Sequence, residues 1–188
     1  MKTALALGAG LSLLAISGSA LAQRKASQTE YTPEEYSEEG QTNGCGVSFL
    51  AVWPADGGEI IGVSGSANFF IVPEHKNVMA MIKATAVMNG RPTPVSYAWL
   101  ETPSYGRSND FAKGPAKDPG SFIGVKNSDA KAMALVMDVA HSGSIFGVTL
   151  KGRALDDSVK LPAPSQDVAT KVMACFDRLN TRMQATFR

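Results

Sequence analysis

The chain has 188 residues, 18 basic and 17 acidic, giving a net charge of +1, and 44% of its residues are hydrophobic. That length supports one domain with a sizeable core. The near balance of charge excludes the basic density with which a nucleic-acid binder neutralises several phosphates.

The first 22 residues read as an export leader. Lys2 gives a positive start, Ala4–Ile16 is an apolar run of 13 residues, and Ser17–Ser19 break it. Ala20 and Ala22 then supply the small residues that signal peptidase requires. The run is too short to span a bilayer and no later run approaches that length, so no membrane span is expected. Cleavage between Ala22 and Gln23 delivers a periplasmic or secreted chain with 17 basic and 17 acidic residues. No cysteine follows the cleavage site to carry a lipid, and no twin-arginine pair precedes it.

Gln23–Asn43 holds five glutamates, two basic residues and no aliphatic side chain larger than Ala26. Such a segment buries too little apolar surface to offset its ordering entropy, which predicts a flexible acidic tail. Its Glu30–Tyr36 stretch reads as a spacer, with a docking segment for a basic partner as the alternative.

One domain is expected over Gly44–Arg188, with 15 basic and 12 acidic residues. Cys45–Trp53 places apolar residues at odd positions, as a half-buried strand does, and would be the first strand. Ala55–Gly58 is a turn, and Glu59–Val63 and Ala67–Val72 are short strand-forming runs separated by Ser64-Gly65-Ser66. Val78–Met88 and Val95–Leu100 flank Asn89-Gly90 and predict a hairpin, its turn lengthened by Pro92 and Pro94. Thr102–Ser121 is a long Gly- and Pro-rich loop. Ser121–Val125 and Ile145–Leu150 read as strands, and Ala132–Ala140 fits strand or helix, with strand preferred because a turn follows. After a crossing over Gly152–Pro164 comes a terminal helix capped by Ser165, with Asp167 in its first turn and Arg178 and Arg182 favouring its end. Val168, Val172, Cys175, Phe176, Leu179 and Met183 fall on one of its faces.

Cys45 and Cys175 are the only cysteines, and in an exported chain an isolated pair reads as one disulfide. Closing so long a loop stabilises by roughly 3–5 kcal/mol in the chain-entropy model. The fold class is therefore α+β: a mainly antiparallel sheet covered by one C-terminal amphipathic helix and closed by one disulfide.

Catalytic motifs are weak. Gly62-Val63-Ser64-Gly65 lacks the last glycine of a nucleophile elbow, and Ser128-x-x-Lys131 stands without its companion motifs. Asp156-Asp157 lacks the partners of a calcium loop, and His75 and His141 show no ligand spacing, so neither metal nor cofactor is expected. Trp99, Tyr105, Arg107, Phe111, Lys113 and Lys117 gather aromatic and cationic groups in and beside the long loop, the composition of a recognition surface. These features point to a non-enzymatic binding domain of the cell envelope whose partner is a protein or another envelope component. The alternatives are a small hydrolase using His141 or His75 with a distant serine, and a carrier whose apolar cavity is lined by Trp53, Trp99 and methionines.

Overall fold

The computed structural model describes residues 24–75, 77–127, 130–153 and 156–187. In chain order its elements are β1 (Gln28–Glu38), β2 (Gln41–Pro54), β3 (Ile60–Val72), β4 (Asn77–Met88), β5 (Arg91–Thr93), β6 (Val95–Thr102), β7 (Gly106–Arg107), β8 (Ala112–Lys113), β9 (Phe122–Asn127), α1 (Ala130–His141), β10 (Ser144–Leu150), β11 (Asp157–Leu161) and α2 (Gln166–Thr186). The expected leader, its cleavage site after Ala22, and Ser128 of the Ser-x-x-Lys motif lie outside the described residues.

The strands form two antiparallel sheets. The larger runs β1-β2-β3-β4-β9-β8, with β5 also paired to β4, and the smaller runs β11-β10-β6-β7. Lys160 of β11 exchanges backbone hydrogen bonds with Arg24 and Ala26, so the chain start stitches the smaller sheet to the approach of β1. The inner face of the larger sheet is built by alternation: Cys45, Val47, Phe49, Ala51 and Trp53 on β2, Ile61, Val63, Ala67 and Phe69 on β3, and Ala80, Ile82 and Ala84 on β4 are all buried. Phe49 meets Phe146 of the smaller sheet edge-on, with centroids 5.2 Å apart, while α1 and α2 cover the rest of that face.

The terminal helix forms as its sequence requires. The Ser165 hydroxyl accepts from the Val168 N–H, and Val168, Val172, Cys175, Phe176 and Leu179 are buried along one stripe. Cys175 is bonded to Cys45, with Cα atoms 5.8 Å apart. The fold is thus the expected α+β sheet with a covering C-terminal helix and one closing disulfide. Arg178 and Arg182 do not serve the helix end, because α2 runs on to Thr186. They reach instead to the Glu35 carboxylate and the Gln41 carbonyl.

Further expectations are corrected. The acidic segment is not a flexible tail from end to end: Gln28–Glu38 is a strand, so Cys45 lies in the second strand rather than the first. Composition misleads here because an edge strand needs only one packed face, which Tyr31 and Pro33 supply. The two runs around Ser64-Gly65-Ser66 are one strand, β3, because the Phe49 ring fills the space a side chain at Gly65 would occupy. Asn89-Gly90 does make a hairpin, but a two-residue one with both residues at positive φ (50° and 75°), and its second strand is the short β5. The run at Val95–Leu100 belongs to β6 in the other sheet. Ala132–Ala140 is helical: Ala132, Leu135, Val136, Val139 and Ala140 are buried at i, i+3, i+4, i+7 and i+8. Finally, the long loop carries β7 and β8, and the crossing before the last helix carries β11. No helix among the described residues is long and apolar enough to cross a membrane.

Candidate functional site

The segment after β6 folds back on its own strand. Leu100 donates its N–H to the Ser108 hydroxyl at 2.9 Å and accepts from the Ser108 N–H at 2.8 Å, which pairs Arg107 with Glu101. Ser104 anchors the turn by donating its N–H and hydroxyl to Asp138 of α1. This return lays Arg107 over the outer face of the smaller sheet.

There the Arg107 guanidinium stacks on the Trp99 ring, 3.7 Å from its centroid. It also donates to Asp156 at 2.7 Å. The Trp99 indole N–H donates to the same carboxylate at 3.1 Å, and the Thr149 hydroxyl donates to its other oxygen. Beneath the indole lies Gly147, where any side chain would overlap the ring. Trp99 is 4% exposed although it stands outside the main core cluster. Arg107 is its lid.

A second cluster lies beyond it. Lys126 donates to the Tyr105 hydroxyl at 2.8 Å and pairs with Asp110, to which Tyr105 also donates. Tyr105 packs edge-on against the buried Phe111. The chain matches no family model, no curated protein and no solved structure.

The charges in both clusters are fixed by their partners. Burial works to raise the Asp156 pKa, but hydrogen bonds from Thr149, Trp99 and Arg107 outweigh it and hold the carboxyl below its ordinary value. Asp110 is lowered in the same way, burial opposing the donors Lys126 and Tyr105. The Asp110 and Tyr105 bonds raise Lys126, and burial, aided by Asp110, raises Tyr105. At neutral pH the lysine and phenol therefore stay protonated.

The predicted loop residues thus divide. Trp99 and Phe111 are buried, Arg107 and Tyr105 are engaged internally, and Lys113 and Lys117 remain exposed. Their partners Asp156, Thr149, Lys126, Gly147 and Asp110 are not signalled by the sequence. Arg107 and Asp156 are 49 residues apart, so no local spacing joins them. His75 and His141 are exposed, and among the described residues neither makes a side-chain hydrogen bond to a serine or an acid. Trp53 is packed into the core, away from Trp99 on the outer side of the other sheet. Among the described residues no three His, Cys, Asp or Glu side chains converge to hold a metal.

Replacing Arg107 by alanine should cost about 1–2 kcal/mol, a stacked cation plus one charge-assisted bond, and should shift tryptophan fluorescence to the red. In the intact protein the stack depends on the Asp156 carboxylate. Because its folded pKa is depressed, its contribution is full above the ordinary carboxylate range and is lost as pH falls through the folded value. The same red shift should therefore appear only below about pH 4. A spectrum unchanged in Arg107→Ala would mean that another group covers Trp99.

Proposed function

We propose that this protein is exported, with cleavage between Ala22 and Gln23, and acts as a non-enzymatic binding domain of the cell envelope. One observation carries the reading. Of the five exposed large hydrophobic side chains among the described residues, four lie on the outer face of the larger sheet: Tyr36 (37% exposed), Leu50 (40%), Ile60 (56%) and Val87 (41%). Leu50, Ile60 and Val87 sit on neighbouring strands near the β2–β3 turn, and half-buried Val52 extends their patch. Contiguous apolar surface of this kind on a folded domain marks an interaction site. The leader-like start and the closing disulfide support an oxidising, extracytoplasmic setting. The hydrolase alternative draws no support from two exposed histidines that, among the described residues, bond to no serine or acid, nor the carrier from two tryptophans on separate sheets.

A photo-crosslinking side chain at Val87, expressed in the native cells, should trap one discrete adduct, whereas the same group at Lys117 should trap little. Leu50→Glu should abolish the Val87 adduct. Crosslinking at Val87 that is diffuse, or equal to that at Lys117, would sink the proposal.

A further inference from the structure

The larger sheet ends in an open strand. β1 pairs along its whole length with β2, and among the described residues no strand pairs with its other edge. At the opposite end the edge strand, β8, is only two residues long. An unpaired edge of eleven residues is a template for another strand.

The edge is also walled. A groove of about 310 Å³ separates β1 from α2, lined by Pro33, Glu34 and Glu35 on one side and by Lys171, Ala174, Cys175 and Arg178 on the other. The helix residues fall at i, i+3, i+4 and i+7 and form one face. The three strand residues are consecutive. Since successive side chains of a strand point to opposite faces, consecutive lining means that the groove runs along the backbone edge of β1. Pro33 sets the phase: it has no N–H, so its nitrogen belongs on the side away from β2, and Tyr31 and Glu35 present theirs on that same open side.

Charge selects the occupant. Gln28–Gly40 contains five glutamates and no basic residue. Glu35 is held by Arg178, whereas Glu30 and Glu34 have no ion-pair partner among the described residues. Two copies of β1 side by side would set these acids against each other, which argues against self-pairing. We propose that the groove between β1 and α2 receives an extended segment of a protein partner. That segment adds as a strand to the free edge of β1, places lysine or arginine beside Glu34, and lays small aliphatic side chains against Ala174 and the disulfide. The proposal rests on the binding-domain reading but names a surface distinct from the outer apolar face, so the two can fail separately.

The test is a displayed library of random nonapeptides selected against the full chain from Gln23 to Arg188. Enriched sequences should alternate small aliphatic residues with lysine or arginine. A labelled peptide of that sequence should lose affinity about tenfold when its backbone is N-methylated at alternate positions of one phase, a loss of roughly 1.4 kcal/mol, and keep it when methylated in the other phase. Its binding should slow amide exchange at Tyr31 and Glu35 and weaken about tenfold in Glu34→Lys. Absence of enrichment, enrichment without basic residues, indifference to N-methylation, or protection confined to the outer face at Leu50 and Val87 would each overturn the proposal. The crosslink expected at Val87 would be untouched by any of these results.

Discussion

A chain beginning at Gly40 should melt at least about 10 °C below the chain beginning at Gln23, or show no cooperative transition. The deleted residues join the fold at many points. Tyr31 donates its hydroxyl to the Pro162 carbonyl at 2.7 Å, and its ring lies 6.3 Å from Phe49. Tyr36 packs on Phe70 at 4.8 Å, and Glu35 takes two hydrogen bonds from Arg178. Arg24 pairs with the buried Asp157, which among the described residues would otherwise keep only the Arg153 ion pair at 3.8 Å. Leaving a buried carboxylate short of a partner is costly, and loss of β1 also uncovers the edge of β2 over its inward-facing Val47 and Phe49. A combined loss of about 4–6 kcal/mol is a large part of the 5–15 kcal/mol typical of a domain. It corresponds to roughly 10–20 °C for a chain of this size. Differential scanning calorimetry of the two chains decides the matter, and an unchanged melting temperature would show that β1 adds nothing to the packing.

Replacing both Cys45 and Cys175 by alanine should remove about 2–5 kcal/mol, read as a lower denaturation midpoint with a steeper slope, since the unfolded chain is no longer held compact. The bridge spans 130 residues, so it restricts most of the unfolded chain. It also ties β2 to α2 inside the contact that buries Val172, Phe176 and Leu179. The folded geometry should survive, because Phe69 and Phe176 still meet across the same contact at 6.3 Å. The double replacement avoids leaving one thiol buried, and so isolates the loop effect. Free thiol in the denatured, unreduced wild-type protein, or an unchanged midpoint in the variant, would contradict this account.

What could be read in advance was local. The terminal helix announced itself through Ser165 and a stripe recurring every three or four residues, because capping and amphipathicity act within a few turns. The bridge was legible from the cysteine count and the leader-like start of the sequence together. The same periodicity was present in Ala132–Ala140. There the buried positions 132, 135, 136, 139 and 140 spell a helix, and the turn after His141 wrongly outweighed them. The aromatic and cationic residues of the long loop were found, but not their use. Whether Arg107 faces solvent or lies over Trp99 depends on Gly147 and Asp156, which the pairing of β10 with β6 and with β11 brings to the same place.

By itself, then, the sequence determined the helix that closes the fold, the cysteines that fasten it, and the alternation that makes β2 a buried strand. The tertiary structure decided that a glutamate-rich segment becomes an edge strand and that the long loop covers its own tryptophan. The physical reason is the range of the forces involved. Caps, periodicity and turns are satisfied among neighbours in the chain, whereas β1 is held by backbone groups that β2 exposes and by Arg178, 143 residues from its partner Glu35.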